Sequence, residues 1–102
     1  MNEIEEAKKE AIRRNQLVLE EGMRSKQLYD NPVVVEAFAE IRQTIYDNIE
    51  SSSWSSQEER EELYRMLKTL AAFKAQFERR ISEGEKAEST LRRLINKVRQ
   101  LA

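Results

Sequence analysis

The side chains in this chain that could do chemistry are almost all carboxylates and cations. There are 19 Asp and Glu and 18 Lys and Arg in 102 residues, with no histidine and no cysteine. That removes the commonest general base, the commonest nucleophile pairings and the common zinc ligand sets. What remains is chemistry that carboxylates could do alone. Glu36 and Glu40 stand one helical turn apart and Asp47 follows, a spacing that could offer oxygen ligands or an acid/base pair. No second pair on another segment completes such a site, so these read as solvated carboxylates. The run "EEREE" at 58–62 likewise reads as a charged first turn of a helix. The two glycines stand too far apart to cradle a phosphate. The expectation is a chain with no catalytic residue, no metal ligand, no cofactor and no small-molecule substrate.

Two other groups of side chains point to binding. Lys86, Arg92, Arg93, Lys97 and Arg99 form a basic set near the C-terminus, in which Arg92, Arg99 and Lys86 recur at near-heptad spacing and are expected on one side of a helix. Such a face suits nucleic acid or an acidic protein, for instance residues 36–62 of another copy. Aromatics are absent there, which argues against stacking on single strands, and no recognition helix of the helix-turn-helix kind appears. The aromatic set is Trp54, Tyr46 and Tyr64, with Tyr29 beside it. Each tyrosine lies near a helix end or stripe border, as a half-buried packing residue or an interface contact. Trp54, alone in "SSSWSS", either plugs a turn over Ile49 or Leu63 or stands out as a partner anchor.

Charge is unevenly spread. Residues 1–29 carry six acids and six bases, residues 30–62 nine acids and two bases, and residues 63–102 ten bases and four acids, although the whole chain is only −1. The acidic and basic parts are expected to neutralise one another within the fold or between copies. At 39% hydrophobic and 36% charged, the chain suits long amphipathic helices with wide solvated faces. Its length suits one domain. No apolar run approaches the roughly 20 residues needed to cross a bilayer, and "MNEIEEAKKE" is too acidic for a signal peptide. The absence of cysteine is compatible with a reducing compartment.

With two glycines and one proline, the elements are expected to be long helices. The first spans about 2–29, with a small, interrupted stripe of Ile4, Ala7, Ala11 and Val18 beside Ile12, Leu19 and Met23. Weak packing is expected, with Gly22 as a soft spot costing about 1 kcal/mol against alanine; the segment reads as an arm. Asp30 and Asn31 before Pro32 mark a boundary and a cap. The second helix, about 32–50, carries Val34, Phe38, Ile41, Ile45 and Ile49 on one face. The third starts after Ser56, whose spacing to Glu59 is that of a capping box. It carries Leu63, Met66, Leu70, Phe73, Phe77 and Ile81, widened by Leu67 and Ala71. Gly84 then either terminates a helix near 82–85 or sits inside one helix over 57–101. The break is the expectation, because an unbroken helix of roughly 65 Å would outrun any core the second helix could cover. A fourth stripe follows: Ala87, Leu91, Leu94, Val98 and Leu101.

These elements predict an all-α protein. An antiparallel hairpin (about 32–50 and 57–82, because only about six residues connect the stripes) is flanked by N- and C-terminal helices in a small bundle that oligomerisation could complete. The organisation expected is an N-terminal arm (1–29), a hairpin (30–83) and a basic C-terminal helix (84–102), with Val34, Phe38, Ile41, Ile45, Leu63, Leu70, Phe73 and Phe77 as the hairpin core. The block 20–82 resembles small helical proteins of unassigned role encoded among tailed-bacteriophage virion-assembly genes. The resemblance rests on Asn31-Pro32, then Glu36-Ala37-Phe38, Arg60-Glu61, Leu63-Tyr64 and Leu67-Lys68-Thr69-Leu70. It implies a structural or assembly role in the virion or the host cytoplasm, and a protein partner that is a virion subunit or a second copy. It supplies no catalytic residue. The alternative is a nucleic-acid-associated packaging or regulatory accessory using the basic C-terminal helix.

Overall fold

The structure, a computed structural model, describes residues 2–52 and 56–101. Those residues form three α-helices and no strand: α1 (Asn2–Tyr29), α2 (Pro32–Ser51) and α3 (Gln57–Leu101). The all-α class is therefore as the periodicity predicts. The ends also follow the local chemistry. Asn31 caps α2, its Oδ1 accepting the Val33 N–H at 2.9 Å, with Pro32 in the first turn where a missing N–H costs nothing. The cap offsets the β preference of Val33, Val34 and Val35, and the helical period behind them prevails. At the other end Ser52 donates its hydroxyl to the Ile49 carbonyl at 2.6 Å, and its N–H reaches the same oxygen at 3.3 Å. α3 opens with the Arg60 N–H donating to the Ser56 carbonyl at 3.2 Å. Thr44, Thr69 and Thr90, inside the helices, donate their hydroxyls to the carbonyls four residues back, at 2.8, 3.0 and 3.0 Å.

Gly84 does not break the chain. α3 is one helix of 45 residues, and no residue, glycine included, takes a positive φ among those described. The sequence expectation fails because it gave α3 only one neighbour. The chain divides into two compact units: residues 28–76, which hold α2 and the first half of α3, and residues 1–27 with 77–102, which hold α1 and the second half of α3. Each half of α3 thus has its own partner helix, and no core need reach its full length.

In the unit of α1 and the second half of α3, the two glycines meet. A Cβ built on Gly22 would lie 2.8 Å from the Gly84 Cα and 2.8 Å from the Arg80 carbonyl oxygen. One on Gly84 would lie 3.0 Å from the Gly22 Cα and 3.5 Å from the Val18 carbonyl oxygen. The helices therefore touch backbone to backbone, which only glycine on both sides permits. Arg80 meets Glu21 in an ion pair of 3.3 Å, and Gly84 meets Val18 and Gly22. As α3 advances α1 recedes, so the two run antiparallel. The covered line of α1 is Ala11, Asn15, Val18, Gly22 and Ser25, at spacings of four, three, four and three, the 3.5-residue seam of left-handed helix pairs. Asn15 satisfies its side-chain amide on the Ala11 carbonyl at 2.8 Å. Gly22 and Ser25 are buried on α1, and Ala87 and Leu91 on α3, while Ile4 and Met23 are exposed. The expectation of a weakly packed helix with a soft spot is corrected: the small residues are the contact.

In the unit of α2 and the first half of α3, Ile45 and Leu63 are buried at 4% and 9% exposure, and the Phe38 and Phe73 ring centroids lie 5.7 Å apart. Val34, Phe38 and Leu70 are half-buried, while Phe77, expected in this core, is half-buried in the other unit. Ile41 (49%) and Phe73 (55%) are not core residues, contrary to the sequence expectation. The covered line of α3 here is Leu63, Leu67, Leu70 and Lys74, rotated from the expected line through Met66 and Phe73. A partner on one side covers only one edge of a stripe that is apolar on both.

The glycine contact has a measurable consequence. In an open helix Gly→Ala stabilises by roughly 1 kcal/mol. Here Gly22→Ala and Gly84→Ala place a methyl against backbone that cannot rotate away, so each should destabilise, by about 1–3 kcal/mol. Urea melts followed by circular dichroism read the sign directly; a more stable Gly22→Ala would refute the close crossing.

Candidate interaction surfaces

Flanking the covered line of the α2 unit are two different edges. On α2, Arg42 follows Phe38 by four residues and Ile41 by three, so the two fall on opposite edges. The Arg42 edge borders a cleft of about 360 Å³ whose walls include Val35, Phe38, Ala39 and Arg42 from α2 and Leu70 and Lys74 from α3. Its floor is apolar, and its rim carries the cations Arg42 and Lys74 and the carboxylate of Asp30. The Lys74 ammonium lies 6.0 Å from the Phe38 ring centre and the Arg42 guanidinium 5.6 Å from that of Tyr46, within reach of cation–π attraction. Lys74 thereby sits half-buried on the covered line, its stem lying along apolar surface and its charge over an aromatic face.

Tyr46 and Tyr64, both singled out from sequence, are exposed. Tyr46 lies one turn beyond Arg42 on the cleft edge of α2. Tyr64 lies three residues before Leu67 and seven before Ala71, on the corresponding edge of α3. Tyr29 is half-buried and borders the same cleft. Trp54 lies outside the described residues, with Ser53 and Ser55, so both readings of "SSSWSS" stand as sequence expectations. The cleft itself was not foreseen. The signal for it was Val35 and Ala39, which the sequence reading left off the α2 stripe.

The opposite edge carries Ile41 from α2 and Met66 and Phe73 from α3, each about half exposed. Between and beside them stand Thr44, Asn48, Thr69 and Gln76, all uncharged. Glu62, exposed one turn before Met66, stands on the same edge.

At the C-terminal end of α3, residues 89–102 hold four bases and no acid. Arg92 is exposed and already bridged to Glu88 at 2.7 Å, and an Arg93 Nη2–Thr90 Oγ1 contact spans 3.5 Å. Lys86, Lys97 and Arg99 are exposed. The expected grouping of Lys86 with Arg92 and Arg99 does not hold. In one continuous helix Lys86 precedes Arg93 by seven residues and Lys97 by eleven, so these three share a side, and Arg92 with Arg99 take another. Ile95 and Val98 are also exposed, and Val98 continues the line of Leu91 and Leu94.

The carboxylates behave as solvated groups. Glu36, Glu40 and Asp47 are exposed, and Asp47 accepts from the Gln43 amide at 2.9 Å. Among the described residues no group of three or more Asp or Glu converges as a metal site would require. No helix there is long and apolar enough to cross a membrane.

Exposure separates surface from core by experiment. Tyr46→Ala and Tyr64→Ala should shift stability by less than about 0.5 kcal/mol, whereas Ile45→Ala and Leu63→Ala should each cost about 2–4 kcal/mol. Thermal unfolding of the four variants checks the order; a large loss at either tyrosine would make it a core residue and not a surface one. Compared with family models, curated proteins and solved structures, the chain matches none.

Proposed function

We propose that the chain is a non-catalytic structural or assembly protein of a tailed bacteriophage, which binds a capsid, portal or like subunit by helix packing. The observation that carries this reading is the largely apolar cleft of the α2 unit, bordered by Arg42, Lys74 and Asp30, with Tyr46 exposed one turn beyond Arg42 and Tyr64 exposed on α3. Tyr and Arg beside an apolar depression are the residue types that dominate binding hot spots. The resemblance over residues 20–82 supplies the phage context and points to the same stretch of chain.

In this reading α2 and the first half of α3 form an antiparallel hairpin. Phe38 stands 13 residues before the end of α2 at Ser51, and Phe73 stands 16 residues after the start of α3 at Gln57. Side chains that meet at nearly equal distances from a short connection belong to helices folded back on one another. The hairpin holds the cleft as a rigid groove, into which a partner helix with an apolar stripe and flanking acids fits.

Light scattering of the chain mixed with purified capsid or portal protein tests this. A complex should form, and Tyr46→Ala with Tyr64→Ala should weaken it at least tenfold, about 1.4 kcal/mol, without loss of helicity. Failure to bind either subunit, or binding indifferent to the double variant, would sink it.

A second reading is favoured by one observation, the acid-free basic end of α3. There the chain is a nucleic-acid-associated packaging or regulatory accessory. Duplex DNA affinity would then fall linearly with salt on logarithmic axes, with a slope near −0.9 per phosphate neutralised. Replacing Arg92, Arg93, Lys97 and Arg99 by glutamine would abolish it. Salt-insensitive or undetectable binding removes this reading.

A further inference from the structure

The acid-free end of α3 carries more than charge. We infer, resting on the nucleic-acid reading of that end, that its outer face lies in the major groove of duplex DNA and that Asn96 and Gln100 read base edges there.

The arrangement follows from helical geometry. Leu91 is buried in the seam with α1 and marks the inner side of α3. At about 100° per residue, Asn96 and Gln100 project about 140° and about 180° away from it, at the centre of the outer face. Arg92 and Arg99, at about 100° and about 80°, stand on one flank, and Arg93 and Lys97, at about 200° and about 240°, on the other. All six are exposed. Two uncharged amides one turn apart thus lie between two rows of bases.

The acids lie elsewhere. α1 and its carboxylates pack on the side of Leu91, behind this face. Glu85 and Glu88 precede the face and bound it on its N-terminal side, and residues 89–102 hold no acid. The bond from Arg92 to Glu88, at 2.7 Å, takes one N–H of a guanidinium that has five, so donors remain for a phosphate.

The order of groups across the face selects the occupant. In B-DNA two rows of phosphates flank a groove whose floor presents donors and acceptors, and Asn or Gln pairs with adenine there through two hydrogen bonds. The groove is about 12 Å wide, and a helix with its side chains is about 10–12 Å across. The major groove of A-form RNA is too narrow for side chains to read. Single strands are held by stacking on aromatics, and the chain has none after Phe77. A lone helix entering the groove side-on needs no helix-turn-helix.

Selection of a random duplex DNA library on the full-length chain, followed by fluorescence anisotropy with the enriched duplex, tests this. The enriched duplex should bind at least about tenfold tighter than an unselected one. Asn96→Ala and Gln100→Ala should each lower that affinity about fivefold or more, with affinity for the unselected duplex and the salt slope unchanged. Arg93→Gln and Arg99→Gln should weaken both duplexes alike and reduce the salt slope by about 0.9 each. Circular dichroism separates loss of helix from loss of contact. No enrichment, or an enriched duplex whose affinity survives both amide variants, overturns the inference and leaves sequence-independent DNA binding standing. A chain that binds no duplex at all removes the nucleic-acid reading with it. Polyglutamate that displaces the enriched duplex at equal charge also overturns the inference and marks the face as one for an acidic protein.

Discussion

The contact between Gly22 and Gly84 is the constraint on which the α1 unit depends. Two backbones cannot approach to this distance with a methyl between them, so the position of one helix along the other is set by where both lack a side chain. Register follows: once Gly84 lies against Val18 and Gly22, Ser25, Ala87 and Leu91 fall into the seam. The ion pair between these helices, Arg80 with Glu21, is half-exposed on both sides. It contributes at most about 1 kcal/mol, so steric fit decides the register and electrostatics only assists.

The same contact accounts for the length of α3. A helix of 45 residues needs tertiary support along much of its course, because propensity alone leaves helices marginal in water. α2 supplies that support to the first half and α1 to the second. A glycine in the middle would ordinarily weaken such a helix. Here the backbone packing it permits offsets the lost propensity, and the chain has no reason to end the helix there.

Units two helices thick impose a cost in burial that shapes the rest of the surface. Each helix offers one neighbour one line of side chains, and the stripes in this chain are wider than a line. No large side chain is wholly buried among the described residues. The surplus apolar groups are sorted by their charged neighbours. On one edge Arg42 and Lys74 rim a cleft, and on the other Ile41, Met66 and Phe73 lie among threonines and amides. An all-helical chain with little interior of its own is suited to finishing its burial against other molecules.

Much of the secondary structure was legible along the chain. Asn31 and Pro32 mark a boundary that local hydrogen bonding enforces, the serines after Glu50 end α2 by binding its last carbonyls, and recurring apolar residues declare helices whatever they pack on. Tyr46 and Tyr64 could be named as surface aromatics because they stand off the stripes. The side shared by Lys86, Arg93 and Lys97 was already fixed by the period of the C-terminal helix expected over 84–102. Two things only the tertiary structure decided. The phase of the α3 seam depends on which side its neighbour occupies, so Leu67 and Lys74 are covered where Met66 and Phe73 were expected. The meaning of both glycines depends on each other: alone, either one is a weak point or a stop, and a missing side chain becomes an asset only when a second missing side chain faces it across the gap.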